Sequence, residues 1–362
     1  MIKFIHTADV HLGLKFNKVS FPRELAINRR FELWSSFEGL VGYCKEKGID
    51  FLLIAGDLFE ASYFTLGDIK RLRDLFKEAR DINILIAAGN HDYLNDKSLY
   101  RKVEWSDNVH IFDTGAIGKK EFPELDTVIY GYSWDSLEIR ENFLFEGFEV
   151  DNSFSNKILL IHGDLARSSN YLPLDLDLLN KLDLDYIALG HIHKPIIFSD
   201  KMAYCGSLEP LDFGELGERG FIEGLIGDSG TKVRFVPFSK RKFLHERLKL
   251  NENMNYRDIV GAIKAIQGEK DRDLFRIELE GYISQDIEFK SLLKSLEGDF
   301  YYVEFIDKTT PDYDLEALER EYKDSLIGEF IRAMKLKGLD EPVVKKALYF
   351  GLDALLRGRV DS

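Results

Sequence analysis

Short apolar runs that stop at a glycine or an aspartate recur along the first two thirds of the chain, and they limit the folds open to it. Residues 2–6 (IKFIH) run on to Asp9, Phe51–Ala55 (FLLIA) stops at Gly56, and residues 82–88 stop at Gly89. Between them, residues 28–47 place Phe31, Trp34, Phe37, Leu40 and Val41 at helical spacing, and 66–80 read as a second helix. Runs apolar throughout suit strands buried on both faces, and strand–helix–strand alternation predicts an α/β layout. Further strands are expected at 127–132, 157–161, 186–189 and 202–204, and a pair within 219–238 about Asp228-Ser229-Gly230.

The texture changes after residue 240. Helical spacing at 256–267 and 288–297, with strand-like runs at 274–279 and 301–305, predicts a small α+β module. Phe275, Ile277 and Leu279 share one face of its first strand. Residues 309–312 read as a linker, followed by helices at 314–337 and 341–357, with Gly338 ending the first and Asp340 and Pro342 opening the second. The first of these sets Leu315, Leu318, Tyr322, Leu326, Phe330 and Met334 at helical spacing. The expected division is therefore 1–240, 241–310 and 311–362.

Five segments carry the chemistry: Asp9-Val10-His11, Gly56-Asp57, Gly89-Asn90-His91-Asp92, His162-Gly163 and Gly190-His191-Ile192-His193. Each follows an apolar run, and strand ends at one edge of a sheet are where α/β proteins assemble ligand sites. Five of the chain's eight histidines fall in these segments. The other three, His6, His110 and His245, lack such context and read as packing or surface residues. Mixed imidazole, carboxylate and amide-carbonyl donors suit manganese, iron or zinc better than magnesium or calcium. Two divalent ions roughly 3.5–4 Å apart need a bridging oxygen donor, which a carboxylate supplies and an imidazole does not. Such a pair acidifies water and neutralises phosphoryl oxygens, while His91, beside the expected ligand Asn90, can carry a proton and Asp92 can orient it.

No stretch approaches the roughly 18 apolar residues of a membrane span, and the N-terminus runs directly into a motif rather than a signal peptide. Cys44 and Cys205 are too few for a disulfide framework, so a reducing cytoplasm is expected. A net charge of −14 disfavours a free-standing duplex binder, so any nucleic-acid contact must be local. Lys15, Lys18, Arg23, Arg29 and Arg30 form one candidate basic surface, and Lys232, Arg234, Lys240, Arg241 and Lys242 another.

The runs HTADVHLG, GDLFE, GNHD and GHIHKP, with YCGSLEPLDFGE at 204–215, resemble the calcineurin-like metallophosphoesterase superfamily and, within it, the SbcD-type DNA repair exonucleases. The resemblance spans about residues 1–240. It implies a pair of facing mixed sheets flanked by helices, a DNA-positioning cap at 241–310, and C-terminal helices at 311–362 that dock on an SbcC-like ABC ATPase. It also implies a homodimer and two divalent ions, manganese first. Asp9, His11, Asp57 and His193 would hold one ion, and Asp57, Asn90, His162 and His191 the other. His91 would serve the leaving oxygen. One residue departs from the pattern: Glu60 stands where these exonucleases usually carry a histidine, placing a carboxylate near the expected phosphate. The alternatives are a small-substrate phosphatase or phosphodiesterase, which Glu60 and the acidic charge favour, and a non-catalytic DNA-end-binding scaffold.

Overall fold

The apolar runs become strands that fall into two sheets. The first six strands are β1 (Ile2–Thr7), β2 (Phe51–Ala55), β3 (Asn83–Ala87), β4 (Val109–Ile111), β5 (Gly118–Phe122) and β6 (Thr127–Tyr132). The next six are β7 (Asn156–His162), β8 (Tyr186–Gly190), β9 (Ile196–Ser199), β10 (Met202–Tyr204), β11 (Gly220–Gly227) and β12 (Gly230–Pro237). The computed structural model describes residues 1–16, 21–141, 144–166, 168–251, 253–284 and 287–357. The chain divides into two units, Met1–Lys242 and Phe243–Ser362.

In the first unit one sheet has the order β12-β11-β1-β2-β3-β4 and the other β5-β6-β7-β8-β10-β9. The first is parallel from β1 through β4 and antiparallel at β11 and β12, and the second has a parallel centre with antiparallel β5 and β9 at its edges. The expected pair within 219–238 is β11–β12, joined by Asp228 and Ser229. The sheets face each other across one apolar layer, with Phe4, Phe51, Leu53 and Leu85 from the first against Ile158, Leu160 and Ala188 from the second. This is the two-sheet sandwich that the resemblance implied.

Helix α1 (Arg23–Lys47) covers the outer face of the first sheet, with Leu33, Trp34, Phe37, Leu40, Val41 and Cys44 buried. Burying one such large side chain contributes roughly 1.5–3 kcal/mol. Phe31, expected on this face, is 66% exposed, because a step of 100° per residue carries it off the stripe. Helix α2 (Leu66–Lys77) starts at a reciprocal capping box between Thr65 and Asp68. Helix α3 (Leu176–Leu179) is a single turn beside the second sheet.

The second unit holds three parallel strands, β13 (Phe243–Leu250), β14 (Leu274–Ser284) and β15 (Tyr302–Asp312). Helices α4 (Tyr256–Lys264) and α5 (Phe289–Leu296) pack Ile259, Ile263, Leu292 and Leu296 on Phe275, Ile277 and Leu279. Residues 309–312 are not a linker but the end of β15, paired with Gly281 to Ser284. Pro311 is tolerated there because β15 is an edge strand with neighbouring backbone on one side only. The single helix expected at 314–337 is two, α6 (Leu315–Glu321) and α7 (Leu326–Lys335). The chain doubles back at Tyr322, whose carbonyl lies so near Gly328 that a Cβ there would sit 2.4 Å from it. Helix α8 (Pro342–Arg357) follows, and Tyr313, Ile331, Leu348, Tyr349 and Leu352 form a core of their own. No described helix is long and apolar enough to cross a membrane.

Candidate metal centre

The C-terminal ends of β1, β2, β3, β7 and β8 deliver all five motif segments to one edge of the sandwich. Asp9, His11, Asp57 and His191 adopt positive φ there, between 48° and 102°. Left-handed backbone at four non-glycine positions is strain that the surrounding fold must hold, and such strain concentrates at functional sites. Gly89 permits a close approach, since a Cβ at that position would lie 2.3 Å from Asp57 Oδ1, and a Cβ at Gly190 would lie 1.7 Å from the Ala55 carbonyl oxygen.

Three groups of donor atoms converge within 4.8 Å: Asp9, His11 and His193; Asp9, Asp57 and His162; His11, Asp57 and His91. His11 Nε2 and His193 Nε2 face each other at 3.3 Å. Asn90 Oδ1 lies 3.0 Å from His162 Nε2, which is 3.4 Å from Asp57 Oδ2. The His191 ring sits 5.3 Å from that of His162, and its backbone N–H donates to the Asp9 carboxylate. Asp57 thus stands between the two expected ligand groups.

The outward nitrogens of two imidazoles are hydrogen-bonded: His162 Nδ1 meets the Ala55 carbonyl at 2.9 Å and His193 Nδ1 meets Glu215 Oε1 at 2.5 Å, while His11 Nδ1 lies 3.7 Å from the Glu60 carboxylate. Outer partners of this kind fix the tautomer and turn the other nitrogen inward as a ligand. The electrostatics agree. Burial opposes charge on His162 and His193, yet Asp57 for the first and Glu215 with Asp9 for the second lift both to about 9. Asp57, despite burial that works the other way, is held well below the usual carboxylate range, chiefly by His162. Burial and the neighbouring His162 lower His191 to about 4. The converging imidazole and carboxylate donors, with the Asn90 carbonyl beside them, form a set that fits divalent ions.

Glu215 has no role in the sequence reading, although it lies within the YCGSLEPLDFGE run. Besides His193 it accepts from Ser207 Oγ at 2.9 Å and Leu211 N at 3.2 Å. Glu215→Gln is expected to weaken metal affinity roughly 10–100-fold while leaving the fold intact. Titration of the metal-free protein with manganese, followed by calorimetry, checks this; unchanged affinity would remove Glu215 from the site.

Two expectations need correction. Asp92 does not orient His91. Its buried carboxylate accepts from the backbone N–H of Asp57 (3.2 Å), Leu58 (2.9 Å) and Gly89 (2.7 Å) and from Tyr100 Oη (2.7 Å). Those donors consume its lone pairs and tie the turn after β2 to the turn after β3. Burial, with the Asp57 charge, raises it to about 6. The partner of His91 is Glu60, whose Oε2 lies 2.8 Å from Nδ1. Burial lowers His91, but Glu60 and Asp57 outweigh it and raise the imidazole overall. His11 and His91, against burial, hold Glu60 at about 2. Its charge is therefore matched by imidazoles rather than left facing the cleft.

The second correction is Arg29, expected to contact DNA. It is fully buried and donates to Glu32, to Glu209 Oε2 (3.2 Å) and to the Pro210 carbonyl (2.8 Å). Lys15, Arg23 and Arg30 do line one groove, with Phe16, Phe21 and Ile27. Lys18 lies outside the described residues. In the second basic run, Arg234 pairs with Glu223, Lys240 with Ser35, Arg241 with Glu32 and Lys242 with Glu218. His6 and His110 are not among the converging donors, and His6 is buried and bonded to Tyr186 Oη at 2.9 Å; His245 lies on β13 of the second unit, 3.6 Å from Glu278 Oε2.

A family model described as calcineurin-like phosphoesterase matches residues 2–195. The chain belongs to this family. The uncharacterized metallophosphoesterase YhaO of Bacillus subtilis is 30% identical over 232 residues, covering 61% of this chain and 56% of that protein. The DNA double-strand break repair protein Mre11 of Halobacterium salinarum is 26% identical over 260 residues, 68% of this chain and 61% of that one. Mre11 of Methanocaldococcus jannaschii is 30% identical over 277 residues, 70% of this chain and 71% of that one. The match thus spans less than two thirds of YhaO and of the Halobacterium protein. The SbcD-type resemblance of the motifs agrees with these Mre11 relatives, and the matched residues 2–195 carry the whole candidate centre except Glu215.

Proposed function

We propose that this chain is a manganese-dependent DNA exonuclease that processes DNA ends with an SbcC-like ABC ATPase. The observation that carries the reading is Asp57, placed between two groups of imidazole and carboxylate donors with the His91–Glu60 pair beside them. Divalent ions at these positions, manganese first and iron or zinc otherwise, supply Lewis acidity toward water and phosphoryl oxygens. Asp9, His11, Asp57 and His193 would hold one ion; Asp57, Asn90, His162 and His191 would hold the other. His91 is half-exposed, and with Nδ1 on Glu60 its Nε2 is the nitrogen free to donate to the leaving oxygen. Lys15, Arg23 and Arg30 would supply local attraction for a DNA backbone that an acidic chain otherwise repels. The Mre11 relatives support the DNA assignment. Leu326 at the start of α7, Leu336 just past its end, and Val343 and Phe350 on α8 are exposed apolar residues suited to an ATPase arm. A homodimer belongs to the same reading.

The test is nucleotide release from linear duplex DNA with manganese, with and without a co-expressed ATPase, beside small phosphoesters. Turnover of small esters without DNA cleavage would replace this reading with a small-substrate phosphodiesterase, which the net charge of −14 favours. Glu60→Gln is expected to lower turnover about tenfold, near one hydrogen bond to a charged group, while two ions per chain remain bound. Full turnover in that variant would show that His91 needs no carboxylate partner.

A further inference from the structure

A groove in the first unit gathers cations around one indole, at the opposite edge of the first sheet from the metal centre. Lys77 ends α2 and Arg80 lies shortly after it, while Trp105 and Asn108 stand just before β4. These positions flank the N-terminal ends of the parallel strands β3 and β4, whereas the centre lies at C-terminal ends. The 12 residues of α2, roughly 18 Å of helix, run from near the centre to the groove. The groove has a volume of about 530 Å³, and Arg73 completes its basic side. That is room for a small ligand.

The fold makes no use of these cations. Lys77 and Arg80 are exposed and make no hydrogen bond or ion pair among the described residues. Arg73 gives Nε and Nη2 to Asp74, which leaves Nη1. The carbonyls at the end of α2, which would otherwise draw a basic side chain, are already satisfied. Asn108 Nδ2 donates to those of Phe76 (3.3 Å), Ala79 (3.0 Å) and Ile82 (3.0 Å).

Trp105 is half-buried and held in place. Its Nε1–H donates to the Tyr100 carbonyl at 2.9 Å, and its ring lies 5.9 Å from Phe76 and 6.2 Å from Tyr100. A fixed, half-exposed aromatic face loses little freedom on binding a flat partner. Glu104 and Asp107, both exposed, line the same groove. Two carboxylates can accept from sugar hydroxyls or a base amine, but they repel a continuing polyanion. The lining therefore favours a ligand with one phosphate end over a nucleic-acid backbone.

We propose that this groove is a second binding site, for a nucleoside monophosphate, with Lys77, Arg80 and Arg73 Nη1 on the phosphate and Trp105 against the base. The inference goes beyond the nuclease reading and does not depend on it.

Titration of the manganese-loaded protein with deoxyadenosine monophosphate is expected to quench tryptophan fluorescence saturably. Of the three tryptophans, Trp34 and Trp134 are buried, so the quench reports on Trp105 and should vanish in Trp105→Phe. Inorganic phosphate, measured by competition, should bind roughly 5- to 150-fold more weakly, the loss of one stacked base. Deoxyadenosine should bind about tenfold more weakly or worse, the loss of a hydrogen bond to a charged group. The double variant Lys77→Ala/Arg80→Ala should weaken the nucleotide by a similar factor, with manganese content and circular dichroism unchanged. No saturable quench in the wild type, or an undiminished quench in Trp105→Phe or at unchanged affinity in the double variant, would overturn the inference. A single-stranded oligonucleotide that binds as tightly as the mononucleotide, and loses that affinity in the double variant, would also overturn it and make the groove a nucleic-acid surface.

Discussion

Asp57→Asn should abolish nearly all hydrolysis, by more than about 1000-fold, since several kcal/mol of transition-state stabilisation depend on both ions. The substitution is nearly isosteric. Asn tolerates the left-handed conformation that Asp57 holds at φ 53°. Its carbonyl oxygen can still accept the His91 backbone N–H, now 2.8 Å from Asp57 Oδ1. What is lost is a negative charge between His11 at 3.8 Å and His162 at 3.4 Å. An amide oxygen offers one neutral donor where a bridging carboxylate offers two charged ones. Bound metal should fall below two ions per chain by elemental analysis, with the circular dichroism spectrum unchanged. Wild-type turnover in a folded Asp57→Asn protein would sink the assignment of the centre.

Arg29→Met should destabilise the protein by about 3–5 kcal/mol, the cost of leaving a buried charge without its partner. That is a large part of the roughly 5–15 kcal/mol that stabilises a folded domain. Arg29 joins α1 to the 209–210 segment, far along the chain. Glu209, its counterion, also takes Ser36 Oγ and the Lys240 backbone N–H, each at 2.6 Å. Burial already raises the Glu209 carboxyl despite Arg29. Without Arg29 its folded-state pKa rises further above the unfolded value, so the deficit is greatest at neutral pH and shrinks as pH falls and Glu209 takes a proton. A second change, Glu209→Gln, should recover part of the loss. Urea unfolding of the metal-loaded proteins at two pH values measures both; a cost under about 1 kcal/mol would place Arg29 among exchangeable surface cations.

Patterns confined to a few neighbouring residues were legible. Apolar runs with their stopping residues marked β1, β2, β3, β7 and β8, because a strand buried on both faces must be apolar throughout. The short edge strands β4, β5 and β9 were missed, since edge positions lack that requirement. Periodicity placed α1, but misassigned Phe31, and it fused α6 with α7, because helical spacing does not register a turn made by backbone contact at Gly328.

The candidate centre divides along the same line. The sequence alone determined which residues stand at the strand ends: Asp9, His11, Asp57, Asn90, His162, His191 and His193. That follows because each motif stands at, or just past, the end of its own strand. Only the tertiary structure decided what surrounds them. It placed Glu60 on His91 and Asp92 on backbone donors, and Glu215 on His193 from 22 residues away. It set the Ala55 carbonyl on His162 across 107 residues and Glu209 on Arg29 across 180. Burial and pairing are properties of packed surfaces from distant segments, and no local spacing encodes them.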